Sequence, residues 1–189
     1  MSDVQTIADV LKKGLEVSGN GPCLGKRENK GKGPYTWINY SDVIERVGHI
    51  GSGLINKGVK SGNETRIGIY SANRAEWIIS EHACYNFSMQ FVTLYDSYGK
   101  ESIKYITNHS DIQVMFVDTY DRLSNVLNNI SETPSLKLIV HFDDIDAKQM
   151  DELKKEVGSK FEDIDIIFYE DLMMLGKENH INFQVNAIE

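Results

Sequence analysis

Apolar residues recur along the chain with two different spacings, and the alternation between them marks out its elements. Ile7, Val10, Leu11 and Leu15 stand at i, i+3, i+4 and i+8, which is one face of an amphipathic helix. The turn cluster Gly19-Asn20-Gly21-Pro22 ends it. Residues 25–33 are polar, basic and glycine-rich, and they lead through Pro34 into the strand-like Tyr35-Thr36-Trp37-Ile38. That stretch predicts a hairpin-type loop. Ser41 predicts the N-cap of a second helix, with Glu45 close enough to support its first turn. Behind it Val43, Ile44, Val47, Ile50, Leu54 and Ile55 keep the helical period, and Gly58 supplies the stop.

Short continuous apolar runs then take over. Ile67-Gly68-Ile69-Tyr70, Phe91-Val92-Thr93-Leu94-Tyr95, Val114-Met115-Phe116-Val117, Leu138-Ile139-Val140 and residues 164–169 read as strands. Between them lie helical patterns. Residues 74–87 carry Ala75, Trp77, Ile78, Ile79, Ala83, Cys84 and Phe87 on more than one face, as a sandwiched helix would. Ile103 and Ile106, then Leu123, Val126, Leu127 and Ile130, then Met150, Leu153 and Val157 mark three more helices. Continuous strands alternating with helices predict an α/β fold, with a mostly parallel sheet covered on both faces. Residues 1–34 form a helix-and-loop segment, and 35–189 an α/β portion. After Leu175 the pattern fades, and 186–189 bring no closing element.

Composition narrows the class. The chain has 189 residues, 41% hydrophobic and 25% charged, with net charge −8, which fits a soluble globular protein. The acidic balance argues against a nucleic-acid partner. No apolar run has the length of a membrane span, and the first five residues lack the features of a secretory signal. A cytoplasmic protein is expected. Residues 143–171 hold eleven acids and four lysines, net −7, and read as a solvated outer layer. Cys23 and Cys84 are far apart and the five histidines are scattered singly, so neither a disulfide framework nor a metal site is expected.

In open α/β sheets ligands bind beyond the carboxyl ends of the strands, which directs attention to three turns. Ser71-Ala72-Asn73-Arg74 could hold an anion, although an ordinary helix start with Arg74 paired to Glu76 is the simpler reading. Asp96-Ser97-Tyr98-Gly99 offers hydroxyls and a glycine that permits close backbone approach. Asp118 to Arg122 places a cation after a strand end. Asp143-Asp144 is a weaker candidate for Mg²⁺. Gly31-Lys32-Gly33 is followed by a strand, where a phosphate cradle needs a helix. Gly48, Gly51 and Gly53 lie within a helix and indicate close packing. No nucleophile elbow, phosphate-loop, metalloprotease or C-x-x-C motif is present, so no catalytic residue is named.

The residues carry a further signal. Gly21-Pro22-Cys23-Leu24-Gly25, Gly33-Pro34-Tyr35-Thr36-Trp37-Ile38-Asn39-Tyr40, the block from Ile67-Gly68-Ile69-Tyr70 through Asn73-Arg74-Ala75-Glu76-Trp77 to Leu94-Tyr95-Asp96-Ser97-Tyr98-Gly99, and Phe116-Val117-Asp118 resemble the amino-terminal region of long-chain fatty acid–CoA ligases. These belong to the adenylate-forming superfamily. Ala75 and Thr93 stand where members commonly carry proline. The resemblance implies an incomplete portion of the large domain of that fold. It also implies a parent enzyme that couples fatty acid, ATP with Mg²⁺, and CoA to give acyl-CoA, AMP and pyrophosphate. The ATP phosphate loop and the C-terminal domain of the family are not among these residues, so the chain alone is expected to be inactive. A non-catalytic CoA-binding or partner-interaction module is the alternative. In the superfamily CoA's adenine nucleotide can lie against the turn matching Asp96, Ser97, Tyr98 and Gly99, near a basic residue matching Arg122. The resemblance further implies the cytosolic face of the endoplasmic reticulum or outer mitochondrial membrane as the parent's location. Association with full-length subunits or a membrane surface would follow from it.

Overall fold

The computed structural model describes residues 4–28 and 32–182. Gly31 of the glycine-rich loop and the terminal 186–189 lie outside the described residues. In chain order the elements are α1 (Asp9–Ser18), β1 (Pro22–Arg27), β2 (Tyr35–Asn39), α2 (Tyr40–Asn56), β3 (Arg66–Tyr70), α3 (Ala75–Asn86), β4 (Gln90–Leu94), α4 (Lys100–His109), β5 (Val114–Val117), α5 (Tyr120–Asn128), β6 (Leu138–His141), α6 (Ala147–Val157), β7 (Asp165–Phe168) and α7 (Tyr169–Glu178). They form two compact units. One comprises Met1–Ser61, Asn73–Ser88 and Met173–Glu189, the other Gly62–Ala72 and Met89–Leu172.

In the first unit α1 ends at Gly19 and Asn20, both left-handed (φ 61° and 64°). Leu11 is buried while Ile7 and Val10 are about half exposed, so only part of the predicted apolar face is covered. β1 pairs antiparallel with β2, Arg27 opposite Tyr35. The hairpin is as expected, but residues 25–27 are strand where the pattern predicted loop. Gly25 and two cations give no alternation to read. The pairing is set instead by the Trp37 ring lying across Gly25, where a Cβ would stand 2.7 Å from it. Ser41 is not the cap of α2, because the helix begins one residue earlier. The Ser41 N–H donates to Asn20 Oδ1 at 2.9 Å, and that of Tyr40 to the Gly21 carbonyl at 3.2 Å. The turn before β1 thus satisfies the helix start.

Val43, Val47, Ile50 and Leu54 bury the apolar face of α2, and its glycines make the close contacts. The Gly51 backbone lies against the Phe87 ring. Gly176 of α7 meets the His49 carbonyl and the Gly53 amide so closely that a Cβ there would overlap the α2 backbone. The Gly48 backbone faces the His180 ring, so packing, not ligand approach, explains Gly48, Gly51 and Gly53.

The second unit is a five-stranded parallel sheet in the order β4-β3-β5-β6-β7. Ile67 pairs with Val114, and Ile69 with Phe116. Tyr70, Met115, Val117 and Ile139 share one face, packed with Ile103 of α4, Leu123, Val126 and Leu127 of α5, and Leu153 of α6. Ile67, Ile69, Phe116 and Val140 alternate to the other face and are fully buried. There Phe116 stacks on Phe142 at 5.7 Å, and Phe142 meets Tyr169 edge-on at 5.1 Å. Burial on both faces is why these strands read as unbroken apolar runs. Each fully buried Leu, Ile or Phe side chain contributes roughly 1.5–3 kcal/mol.

The acidic stretch forms α6 and the edge strand β7 at one side of this sheet. Asp146 and Gln149 close a capping box at the start of α6, and the acids of 143–171 whose side chains are described are exposed. The end of the strand expected over 164–169 differs: Tyr169 opens α7, a helix not predicted from the sequence. Among the described residues no helix is long and apolar enough to cross a membrane.

Candidate ligand site at the β3 and β5 strand ends

From β3 the chain passes to β4 on one side of the sheet and then to β5 on the other. The carboxyl ends of β3 and β5 therefore flank the switch point where doubly wound sheets hold their ligands. Asp118, the residue after β5, is 3% exposed. Its Oδ2 accepts the Ala72 N–H from the β3 end at 2.8 Å, and its Oδ1 accepts Nη1 of Arg122. Both oxygens are thus satisfied, which a buried carboxylate requires.

The helix start places the arginine. Thr119 caps α5 by accepting the Arg122 N–H at 3.4 Å, and the i, i+4 spacing turns the guanidinium back over the strand end. The guanidinium carbon lies 5.3 Å from the centroid of the Tyr70 ring, within cation–π range. Its outer nitrogen, Nη2, stands 3.6 Å from Asp96 Oδ2, a looser contact on the solvent side. Burial alone would lower the pKa of Arg122, but the hydrogen bond and charge of Asp118 outweigh that and raise it. The Tyr70 hydroxyl faces the Tyr98 carbonyl at 3.5 Å and the Asn125 amide nitrogen at 3.4 Å. These are long contacts that position the ring more than they bind it.

The structure brings together Asp96, Tyr98 and Arg122 from the sequence-predicted set. Ser97 sits exposed on the same turn. Tyr98 also packs edge-on against Tyr95 at 5.3 Å, and Tyr95 is one of the exposed large side chains of the chain. Gly99 precedes α4 with extended backbone (φ −71°, ψ 165°), and a Cβ there would meet nothing within 4 Å. The conformation does not demand glycine; what Gly99 provides is an open approach from solvent. Sequence reasoning missed Tyr70 and Asn125. It noted Asp118 only as a strand end, although its spacing to Arg122 was a usable signal.

The other candidates behave as local structure. Arg74 grips Glu76 through Nε at 2.8 Å and Nη2 at 3.2 Å. The Ser71 hydroxyl turns to its neighbour's carbonyl, that of Ala72, at 2.7 Å. Asp143 and Asp144 are exposed, and His141 Nδ1 donates to the Asp143 carbonyl at 2.8 Å. Among the described residues no three His, Cys, Asp or Glu side chains are grouped to hold a metal. Burial raises the pKa of both thiols, Cys23 and the fully enclosed Cys84, which keeps them in the unreactive protonated form. The first unit holds a cavity of about 290 Å³ lined by Asp42, Glu45, Arg46, His49, Met173, Met174 and Lys177, with charges of both signs and no convergent set.

Known proteins give the geometry its context. The family model described as AMP-binding enzyme matches residues 17–178. The chain is 43% identical over 180 residues to long-chain-fatty-acid–CoA ligase 5 of Rattus norvegicus, covering 94% of this chain and 25% of that protein. It therefore spans about a quarter of the length of that relative. Its fold is similar to part of the adenylation domain of a carboxylate reductase from Mycobacterium chelonae, with a TM-score of 0.80 and 16% identity, covering 96% of this chain and 30% of that one. An A-PCP didomain of a carboxylic acid reductase from Segniliparus rugosus, solved in complex with AMP, matches with a TM-score of 0.77 at 16% identity, over 96% of this chain and 28% of its own.

Proposed function

The chain belongs to the family of AMP-binding enzymes, and from that premise we propose that it is the amino-terminal part of a long-chain fatty acid–CoA ligase. The observation that carries this reading is the 43% identity to a ligase of that name across nearly the whole chain. The parent reaction joins a fatty carboxylate to AMP from ATP, releasing pyrophosphate, and then transfers the acyl group to the thiol of CoA. The substrates of this chain's parent would accordingly be a fatty acid, ATP with Mg²⁺, and CoA. It would work at the cytosolic face of the endoplasmic reticulum or outer mitochondrial membrane.

The described residues do not fit Mg²⁺–ATP. No three metal-ligating side chains converge among them, and no phosphate-loop motif is present in the sequence. On this reading adenylation belongs to the remainder of the parent, and the chain by itself is expected to release no AMP. Its share is the switch-point surface. There Arg122, held over the Tyr70 ring and pinned from within by Asp118, can pair with a phosphate of CoA. The turn of Asp96, Ser97, Tyr98 and Gly99 can line the nucleotide.

The test uses the natural protein. An antibody raised against this chain is used to capture it from its source cells. The captured material is then assayed for AMP release that depends on both a long-chain fatty acid and CoA. Release of AMP is expected from the captured protein and none from the recombinant 189-residue chain. A captured protein that releases no AMP, or releases it only with an unrelated acid, would sink the reading.

A further inference from the structure

Asp96 is the odd residue of its turn under the CoA reading, on which the role assigned to it rests. It carries the same sign of charge as a phosphate, so it cannot be a phosphate contact. Yet it covers the solvent side of Arg122, 3.6 Å from the guanidinium's outer nitrogen. We propose that Asp96 is an internal, displaceable stand-in for the ligand's phosphate. It neutralises the outer side of Arg122 in the free protein and yields that position when an anionic ligand arrives. Through that exchange it sets the site's affinity and its preference for phosphorylated over unphosphorylated ligands.

The two carboxylates on Arg122 differ in the ways this role requires. Asp118 is enclosed, and both its oxygens are engaged by partners in the strand ends and the helix. Asp96 lies in the turn beyond β4 with its side chain 53% exposed, and reaches Arg122 across a longer gap. An exposed ion pair of that kind contributes little, because water competes for both partners. A phosphate can offer the guanidinium two oxygens and more charge, and a displaced Asp96 has solvent to enter. The guanidinium itself cannot follow, since Asp118 holds its inner side and Tyr70 its face. One partner is a fixed anchor and the other an exchangeable cover.

The test is a calorimetric titration of the whole chain and its Asp96→Asn, Asp96→Ser and Arg122→Ala variants. Three probes are used: CoA, inorganic pyrophosphate and uncharged adenosine. Both Asp96 variants should bind CoA about two- to fivefold more tightly than the parent chain, with adenosine unaffected. The parent's affinity should move toward theirs in high salt relative to low, and Arg122→Ala should abolish the gain. If the parent chain binds CoA through Arg122 but the Asp96 variants bind it equally or more weakly, the stand-in is overturned and the CoA reading survives. If no form binds CoA but pyrophosphate binds the Asp96 variants more tightly, the stand-in holds and the CoA reading falls. If no form binds any anion, both fall.

Discussion

The two units close their interiors with different emphasis. In the second, a parallel sheet fills both its faces with Ile, Val, Leu and Phe, and neighbouring helices add more of the same. In the first, the helices approach until backbone meets ring or backbone, at Gly51 against Phe87 and at Gly176 against His49 and Gly53. The first unit also buries Val43, Val47, Ile50 and Leu54 of α2, but it adds contacts that depend on the absence of a side chain. The second unit adds a polar clasp at its strand ends. Asp118 ties β3, β5 and α5 through one buried carboxylate, so a single atom group does there what several glycine contacts do in the first unit. The general lesson concerns information. A buried sheet repeats its message along each strand, whereas a clasp or a glycine contact depends on one residue and a partner far away in sequence.

The sharpest way to break the contrast is Asp118→Ala. It leaves the Ala72 N–H without its acceptor and Arg122 without its inner partner. Losing one member of a buried pair costs about 3–5 kcal/mol, and the partial exposure of Arg122 moderates this to about 2–4 kcal/mol. Urea unfolding followed by circular dichroism measures it. Arg74→Ala, which removes a local contact to a carboxylate two residues away, should cost about 1 kcal/mol or less by the same assay. Equal losses at the two sites would mean that the clasp holds nothing together.

Next in size is Gly176→Ala in the first unit. A Cβ at that position would overlap the His49 carbonyl, and backbone, unlike a flexible side chain, cannot yield cheaply. Overpacking of this kind costs about 1–3 kcal/mol. Gly99→Ala is the matched control, since a Cβ there meets nothing within 4 Å. It should leave stability within about 0.5 kcal/mol of the parent. If Gly176→Ala is as harmless as Gly99→Ala, the helices of the first unit are not in backbone contact.

The same difference explains what could be read in advance. The strand Val114–Val117 lies where its apolar run predicted it, and the helix predicted over 74–87 occupies Ala75–Asn86, because each is announced by several residues agreeing with one another. The failures occurred where a partner distant in sequence decides the outcome. β1 extends through Gly25, across which the Trp37 ring of its partner strand lies. The start of α2 is satisfied by Asn20 and Gly21, not by Ser41. At the site, Arg122 and the turn after β4 could be picked out as strand-end chemistry. Tyr70 and Asn125, 55 positions apart, carry no local mark of their joint role. Glycines 48, 51 and 53 announced closeness without saying to what.

Acidification offers the smallest and most selective test of the contrast, because burial has lowered the pKa of two histidines of the first unit. For His82 on α3, burial is the leading cause, and the nearby Glu81 opposes it. For His49 on α2, burial again leads, Glu45 opposes it, and His180 and Lys177 from the packed C-terminal segment add to it. A histidine with a lowered pKa in the folded chain takes up its proton more readily when unfolded. Its contribution to stability is therefore fully present above pH 6.5, the ordinary value, and is lost progressively as the pH falls below it through the folded value. Carboxylates titrate mostly lower, so the interval from about pH 7 to about 5.5 isolates the histidines. The urea midpoint should decline across that interval in the parent chain and decline less in a His49→Gln, His82→Gln double variant. Amide exchange should show the loss first at α2 and α3, with β3, β5 and β6 retaining their protection. A sheet that loosened together with these helices, or a double variant with the parent's slope, would mean that the first unit's partly buried imidazoles do not distinguish it from the second.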